Sequence, residues 1–366
     1  MRDFSVFIGA CLLSLLLTPL VEKIARRNKI LDYPETRKMH ERPTPLLGGL
    51  AVYLAFLIAI YFLPAHSPSF AGVLLGSSLI LVVSIIDDIR DLPTGIRLIV
   101  QFLGAFIMII FGVRVSFLPP GLWGDIGEIV ITFIWVVGIT NAMNFLDGLD
   151  GLVGGLGVIT GVFFFVVAIQ VHQPYFGFLA LAMAGACLGF LPYNFPAPFL
   201  YVKRLFQGTK EPVYSGEDRA RIFLGDAGAT FLGAFYAGIS VMGDLAKNNV
   251  VALTVPLLLL GIPIFDMTFI TLMRIREKKI SDMETWLAYA GKDHFHHRLV
   301  DLGFSKEGAV LFIYCMALTL GITAIVLRDA APLDAFLLLL KAALIFILIA
   351  LLMITGMRTA RAEGRK

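Results

Sequence analysis

Acidic residues interrupt an otherwise very apolar chain in a few tight clusters. The main clusters are Asp87-Asp88, Asp147 to Gly151, Gly225 to Gly228, and Asp293 to His297. A carboxylate at the centre of a membrane span costs about 3 kcal/mol or more, so such residues are usually functional. Several acids that converge on one face of a membrane would form a divalent-metal site at the lipid–water boundary.

The adjacent carboxylates Asp87 and Asp88 follow a long apolar segment. Adjacent carboxylates repel each other, which favours a cation between them. This pattern is typical of a metal ligand paired with a general base. A solvated helix end with Arg90 as the ionic partner is the alternative, and the dipeptide alone does not decide between the two.

Side-chain amides and carboxylates recur at a helical spacing in Asn141, Asn144 and Asp147, and Asp150 follows in a glycine-flanked turn. Residues three apart share one face of a helix. Oxygen ligands from Asp and Asn suit Mg²⁺, which usually keeps waters and shares substrate phosphates. The alternative is a turn that only caps the next helix.

Asp226 lies between glycines at the start of an apolar segment. It could cap a helix N-terminus, as Asp commonly does, and the segment alone favours this cap. The same position would also present free backbone N–H groups and a favourable helix dipole to a phosphate.

Three histidines, His294, His296 and His297, lie close together between Lys292 and Arg298. A closed zinc site needs four ligands, usually with Cys or a wider His spacing. Cationic and imidazole donors that hold a pyrophosphate are the better interpretation, with a solvated loop as the alternative.

Two weaker signals lie elsewhere in the chain. Between Thr44 and Gly49, a proline fixes the approach to an apolar segment and a glycine pair permits close packing. Asp266 lies inside another apolar segment. It is either a functional acid or a structural one, paired with Arg274 or a nearby Asn.

The elements that position these residues are predicted to be membrane helices. Hydrophobic residues make up 58% of the chain, charged residues 16%, and the mean hydropathy is +0.85, whereas a soluble domain carries about 25% charged residues. Backbone groups in lipid must be paired within the segment, which favours helices. We predict an all-α polytopic bundle with eleven spans, at about 4–24, 47–63, 70–86, 95–111, 126–143, 153–170, 175–191, 227–243, 250–273, 307–327 and 334–356.

The distribution of Lys and Arg predicts that the N-terminus lies outside and the C-terminus inside. The outer side then keeps few of the chain's 30 Lys and Arg residues, namely Arg2, Arg114, Lys247, Arg328 and Lys341. All the acidic clusters face the cytoplasm. The net charge of +3 gives no reason to expect a nucleic-acid partner, because the basic residues suit an anionic membrane surface or phosphate ligands.

Together these segments resemble the polyprenyl-phosphate N-acetylhexosamine-1-phosphate transferase family. The matching pieces are His40…Pro43-Thr44-Pro45…Gly48-Gly49, Asp87-Asp88, Asn141-Ala-Met-Asn144-Phe-Leu-Asp147-Gly-Leu-Asp150-Gly, Phe223-Leu-Gly225-Asp226-Ala-Gly228, Pro263-Ile-Phe-Asp266 and His294-Phe-His296-His297-Arg298-Leu. No single motif is decisive, but the set follows the order of the family and is specific.

The resemblance implies an enzyme of the bacterial inner membrane with its active site on the cytoplasmic face. It would transfer GlcNAc-1-phosphate from UDP-GlcNAc to undecaprenyl phosphate and release UMP, with Mg²⁺ or Mn²⁺. The His-x-His-His form resembles the branch that begins O-antigen, enterobacterial common antigen or wall teichoic acid. The branch that uses UDP-MurNAc-pentapeptide has three consecutive His, so another UDP-sugar is the nearest alternative.

The resemblance also implies roles for individual residues. The metal ligands would be Asp226, Asp147 and Asp88. The catalytic residues would be Asp87 (a base or a nucleophile), Asp88, His294, His296 and His297. The substrate-binding residues would be Asn141, Asn144, Asp150 (for the nucleotide), Asn194, Arg298, Thr44 and Lys292.

The chain departs from the family in a polar insert near residues 199–218 and in Ala229, where the family often has Ser. Within a single membrane domain (1–366) whose His-rich loop covers 274–306, the insert is predicted to be a cytoplasmic arm that contacts a partner or the second protomer of a homodimer. An ion-coupled transporter would instead place its acids near the bilayer midplane, in pseudo-symmetric halves. A non-catalytic scaffold would not explain why the Asp-Asp, Asp-Gly-Leu-Asp-Gly and His-Phe-His-His motifs occur together.

Overall fold

The computed structural model describes residues 2–34, 42–61, 63, 67–196, 219–242, 249–280, 285–286, 291, 293–327 and 331–362. His40, Lys292 and the insert near 199–218 lie outside these residues. The described helices and strands, in chain order, are α1 (Arg2–Arg27), β1 (Leu31–Asp32), β2 (Thr44–Pro45), α2 (Gly48–Tyr61), α3 (Pro68–Arg90), α4 (Thr94–Ile110), α5 (Leu122–Leu146), α6 (Leu152–Gln170), α7 (Pro174–Asn194), α8 (Gly225–Met242), α9 (Asn249–Leu259), α10 (Gly261–Arg276), α11 (Phe295–Asp301), α12 (Lys306–Val326) and α13 (Pro332–Ala362).

The predicted helical architecture is confirmed, with one short antiparallel pair, β1–β2, added among the described residues. In the same residues, seven helices are long and apolar enough to cross a membrane, or eight if the bent pair α9–α10 is one span. The apolar helices α2 and α4 coincide with predicted spans, but at 14 and 17 residues they are shorter than the seven candidate spans. The count of eleven spans therefore stays a prediction.

The predicted span 250–273 is broken rather than straight. Helices α9 and α10 meet at a bend of 77° around Leu260. Pro263 lies in the first turn of α10, where its missing N–H needs no helical partner. The break allows a new helix to start at Gly261 with a different direction.

The bundle is built around α8, which packs between α3 and α5 and is buried along nearly its whole length. On the other side of the bundle, α7 packs closely against α1 and α6. The outward face of α1 exposes apolar residues four apart, including Ile8, Leu12 and Leu16. Such a continuous exposed apolar stripe suits contact with lipid.

A backbone network joins the start of α2 to the start of α8. Phe223 N–H donates to Pro45 O at 2.8 Å, and Gly48 N–H donates to Phe223 O at 2.9 Å. A Cβ on Gly49 would lie 2.2 Å from Gly228 Cα, so no side chain fits there. The close packing predicted for the glycine pair is confirmed.

Candidate active site

Asp87 lies at the C-terminal end of α3 and is only 6% exposed. Its Oδ1 accepts the Leu92 N–H at 2.7 Å, and its Oδ2 accepts a bond from Arg97 at 3.3 Å. The cation beside Asp87 is therefore Arg97 of α4 rather than Arg90, and the alternative of a solvated helix end is wrong for this carboxylate.

Asp88 binds the start of another helix. Its Oδ1 accepts the Asp226 N–H at 2.9 Å, and its Oδ2 accepts the Ala227 N–H at 3.3 Å. Gly225 has φ +76, and a Cβ there would lie 2.7 Å from the Asp88 carboxylate. Asp88 thus caps α8 from α3. The expectation that these N–H groups are free for a phosphate is wrong.

The side chain of Asp226 points into the same region and is 44% exposed. Its Oδ1 accepts the Asn144 amide at 3.0 Å, and its Oδ2 lies 3.7 Å from Arg97. Arg97 therefore bridges Asp226 and Asp87, with one carboxylate from α8 and one from α3. Four helices (α3, α4, α5 and α8) supply charged or amide groups to this point.

A cleft opens between these four helices. Its apolar wall comes mainly from α3 and α4, and its polar lining includes Asp87, Arg97, Gln101, Asn141, Asn144 and Asp226. Asn141 does not point freely into the cleft, because it exchanges two amide hydrogen bonds with Gln101 at 2.6 and 3.2 Å. Side chains with charge thus lie beside an apolar surface, as a site for a lipid phosphate requires.

The Asp147–Asp150 turn follows directly on α5. Burial, together with the negative charges of Asp226 and Asp150, raises the pKa of Asp147 to about 8. Asp150 Oδ2 accepts the Ala220 N–H at 3.1 Å. The structure therefore brings Asp147 and Asp226 into one electrostatic field, whereas Asp150 also ties the turn to the segment before α8.

Asn194, at the end of α7, is buried and has both ends of its amide occupied. Its Oδ1 accepts the Gly151 N–H at 2.9 Å, and its Nδ2 donates to Ile222 O at 3.1 Å. These bonds connect the Asp147–Asp150 turn to the approach of α8. The geometry fits a positioning role better than direct contact with a substrate.

Buried partners orient the first histidine of the His-rich segment. His294 Nδ1 lies 2.9 Å from Asp266 Oδ2, and Asp266 Oδ1 accepts the Phe295 N–H at 2.6 Å. Arg274 instead forms two hydrogen bonds with Asp293, at 2.7 and 2.9 Å. Asp266 is therefore bound by His294 and by the backbone at the start of α11, which are partners that the sequence did not predict.

The ion pair between Arg274 and Asp293 holds the His-rich segment in place. Burial raises the pKa of Asp293, but the hydrogen bond and charge of Arg274, with smaller effects of His294 and Arg298, bring this pKa below its usual value. Arg298 Nε donates to Asp293 O at 2.6 Å, and its guanidinium lies over the Phe269 ring. These contacts fix the loop against α10.

His296 is 1% exposed, and neither of its ring nitrogens has a partner among the described residues. Burial lowers the pKa of His296 well below its usual value, and the charges of His297 and His294 add to this effect. A Cβ on Gly148 would lie 2.2 Å from His296 Nε2. His296 therefore lies against the Asp147–Asp150 turn, because Gly148 has no side chain that would occupy the same space.

Thr44, another predicted substrate-binding residue, is hydrogen-bonded to the nearby backbone. Thr44 is buried in β2, and its hydroxyl donates to Arg42 O at 3.1 Å. The residues that the sequence reasoning missed are Arg97 and Gln101. The available signal was a polar and a basic residue within the apolar segment of α4, which is costly without a function.

The carboxylates around the cleft bear on metal binding. Among the described parts of the chain, no three His, Cys, Asp or Glu side chains stand together as a ready metal centre. The carboxylates of Asp226 and Asp147 still fit Mg²⁺, because Mg²⁺ usually uses one or two carboxylates and completes its shell with waters and substrate phosphates. Asp88 fits less well, since both its oxygens accept backbone N–H groups.

The long apolar helices define a multi-pass membrane protein, and a cleft lined with charged residues opens between four of them. The chain belongs to the family described as glycosyl transferase family 4, whose profile matches residues 70–244. The relationship predicted from the ordered motifs is confirmed by curated relatives that cover most of the chain.

Three relatives indicate the range of similarity. A probable undecaprenyl-phosphate N-acetylglucosaminyl 1-phosphate transferase of Bacillus subtilis is 32% identical over 336 residues, covering 90% of this chain and 86% of that protein. The decaprenyl-phosphate N-acetylglucosaminephosphotransferase of Mycobacterium leprae is 31% identical and covers 84% and 79%. The undecaprenyl-phosphate alpha-N-acetylglucosaminyl 1-phosphate transferase of Escherichia coli is 25% identical and covers 80% and 74%.

Proposed function

We propose that this protein transfers GlcNAc-1-phosphate from UDP-GlcNAc to undecaprenyl phosphate and releases UMP. The names of the relatives support the reaction, and the observation that carries it is the cleft where Asp87, Arg97 and Asp226 meet beside an apolar wall. A phosphate on a lipid and a water-soluble nucleotide can meet only at such a boundary. The product would be the first lipid-linked intermediate of a cell-envelope polysaccharide.

The reaction is a single displacement at phosphorus. An oxygen of the lipid phosphate forms a bond to the β-phosphorus of the UDP-sugar, and the bond to the bridging oxygen breaks, so that UMP leaves with both electrons. Asp87 accepts the proton of the lipid phosphate where one is present. Arg97 attracts the phosphate charge, and phosphoryl transfer depends mainly on such positioning and charge neutralisation.

Asp226 and Asp147 would hold Mg²⁺, with Mn²⁺ as a substitute, and Asn144 orients Asp226 through its amide. The metal would neutralise charge on the pyrophosphate of the donor. Asp88 acts on α8 rather than on the substrate, since its carboxylate caps that helix. A ring N–H of His296 would donate to the sugar phosphates beside the turn, with His294 held in place by Asp266.

The protein would lie in the bacterial inner membrane with its N-terminus outside and its site on the cytoplasmic face. The excess of Lys and Arg in the predicted inner loops supports this orientation. The His-rich segment and the Asp147–Asp150 turn must share one side, because Gly148 lies against His296. UDP-sugars are made in the cytoplasm, which requires the same side.

The test is an assay with purified protein, undecaprenyl phosphate, Mg²⁺ and a panel of UDP-sugars. The expected result is UMP release and a lipid-linked GlcNAc-1-phosphate with UDP-GlcNAc alone. Turnover with UDP-MurNAc-pentapeptide instead would replace the sugar assignment. Absence of UMP release with every UDP-sugar, from protein that binds undecaprenyl phosphate, would reject the proposed reaction.

A further inference from the structure

Tyr314 lies on α12, outside all the motifs that identify the family, yet it reaches the Asp147–Asp150 turn. Its hydroxyl donates to Gly151 O at 2.5 Å, and a Cβ on Gly155 would lie 1.9 Å from the same hydroxyl. Gly155 therefore forms the groove that the tyrosine ring occupies. The carbonyl of Gly151 also accepts the Gly155 N–H at 2.8 Å, so the hydroxyl adds a second bond to an oxygen that is already paired.

The bond of Tyr314 is one end of a longer connection. The N–H of Gly151 donates to Asn194 Oδ1, and Asn194 Nδ2 donates to Ile222 O. Ile222 lies four residues before Asp226 in the segment that leads into α8. One path of hydrogen bonds thus runs from α12 through the turn and α7 to the approach of the carboxylate that we assign to Mg²⁺.

Gly151 is a point where the backbone needs such support. Its φ of +80 lies in the left-handed region, where the chain turns from Asp150 into α6. The direction of the Asp150 and Asp147 side chains depends on this turn, because they precede it directly. A second bond to Gly151 O restricts the peptide plane that follows it.

We propose that Tyr314 is a positioning residue that holds the Asp147–Asp150 turn in the orientation that binds the UDP-sugar. The inference rests on the proposed transferase function and assigns a role in donor binding to a residue of α12. Tyr314 touches neither substrate; it acts through Gly151. Its loss is expected to affect the nucleotide sugar and not the lipid acceptor.

A matched control exists on another helix, α8. Tyr236 is also buried, and its hydroxyl donates to Gly157 O of α6 at the same distance, 2.5 Å. Tyr236 lies ten residues after Asp226 on α8, which is about 15 Å along a helix. Tyr314→Phe and Tyr236→Phe therefore remove the same kind of hydrogen bond. The first bond lies at the Asp147–Asp150 turn, and the second lies within α6 beyond the turn.

The experiment measures KM for UDP-GlcNAc, KM for undecaprenyl phosphate, kcat and thermal unfolding for both variants. A lost neutral hydrogen bond corresponds to about a threefold to tenfold effect. Tyr314→Phe should raise KM for UDP-GlcNAc by that factor and leave KM for the lipid unchanged, whereas Tyr236→Phe should change neither. Direct binding of UDP-GlcNAc in the absence of lipid should weaken in parallel.

Equal kinetic constants for the two variants, with active wild-type protein, would overturn the role of Tyr314 and leave the transferase function standing. An inactive wild-type protein would instead reject the function itself. Should Tyr314→Phe fail to fold, Asn194→Ala interrupts the same path from α7. A folded Asn194→Ala variant with unchanged KM for UDP-GlcNAc would also overturn the proposal.

Discussion

At the scale of single residues, the side chains that face the cleft are different from the side chains that position the helices around it. Asp87 and Asp226 face the cleft around Arg97. Asp88 directly follows Asp87, but its carboxylate accepts hydrogen bonds from backbone N–H groups. His296 and His294 divide in the same way, because only His294 has a buried carboxylate partner. Neighbouring residues of one type therefore have different surroundings in this structure.

Asp226→Asn should abolish turnover, by about 10²-fold or more, and leave the fold intact. A neutral amide is a poorer Mg²⁺ ligand than a carboxylate, and Asn can still donate to or accept from Asn144. The measurement is UMP release as a function of Mg²⁺ concentration. Asp91→Asn is the control, because Asp91 is exposed at the end of α3. Near-normal activity of Asp226→Asn at low Mg²⁺ would refute the assignment as ligand.

Arg97→Gln should reduce kcat/KM for undecaprenyl phosphate by about 10²-fold. The substitution removes the cation that lies between Asp87 and Asp226, so repulsion between the carboxylates and the substrate phosphates is no longer offset. Arg90→Gln, at the exposed end of α3, is the matched control. The role of Arg97 would be wrong if both variants had the same kinetic constants as the wild type.

Sequence reasoning found most of the acids of this site but not their partners. Asp87, Asp147 and Asp226 were recognisable because carboxylates stand out in an apolar chain. Arg97 was not recognised, since one cation at the start of an apolar helix has no motif. The role of Asp88 was also inaccessible, because a helix cap supplied from another helix depends on tertiary packing and has no local spacing.

At the scale of elements, the site depends on how helix ends are terminated. Helix α8 starts at a glycine with positive φ and receives its cap from α3. The first residue of α11 is likewise bound by Asp266 of α10. In both places a carboxylate from a neighbouring helix fixes the direction of a helix that carries functional groups.

The cap predicts a graded response at Asp88. Asp88→Ala should destabilise the protein by about 1 kcal/mol, as the loss of a helix cap does. Asp88→Asn should be less destabilising, because its amide oxygen still accepts one N–H. Thermal unfolding in detergent and the Mg²⁺ requirement would be measured together. An unchanged melting temperature for Asp88→Ala, combined with a changed Mg²⁺ requirement, would favour direct metal binding over capping.

The ion pair between Arg274 and Asp293 predicts a pH dependence of stability. The pKa of Asp293 is lowered in the folded protein, so its stabilising effect is present above the unfolded pKa and is lost as the pH falls through the folded one. Asp293→Asn removes the carboxylate that pairs with buried Arg274, at a cost of about 3 kcal/mol. As the pH falls from 7 into the acid range, the free energy of unfolding should decrease less for Asp293→Asn than for the wild type. The same pH dependence of unfolding in both proteins would contradict this role of the Arg274–Asp293 ion pair.

At the scale of the whole molecule, the helices agree with the hydropathy of the sequence where each helix is apolar by itself. Helix α8 coincides with the predicted span 227–243 but is not among the seven described helices that are long and apolar enough to cross a membrane. Its glycines and alanines serve close packing against α3 and α5. The bend between α9 and α10 was also missed, because hydropathy does not report direction. The insert near 199–218 lies outside the described residues, so its role as a contact surface stays a prediction.

The orientation can be tested by cysteine labelling in a variant that lacks the native cysteines. Gly291→Cys should react with an impermeant reagent only after the membrane is opened, because the His-rich segment is proposed to be cytoplasmic. Trp123→Cys, at a position 83% exposed at the start of α5, should react in intact cells. Labelling of Gly291→Cys in intact cells would refute the orientation and the cytoplasmic site together.

The length of α4 has a consequence for the surrounding lipid. Its 17 residues extend about 25 Å, whereas the hydrocarbon core of a bilayer is about 30 Å thick. Several of its apolar side chains are exposed, including Phe102 and Phe106. A short helix at the lipid boundary creates hydrophobic mismatch, and the bilayer thins to match it. Thinning beside Arg97 would bring lipid head groups closer to the cleft, so membrane thickness itself would set how easily the acceptor phosphate reaches this arginine.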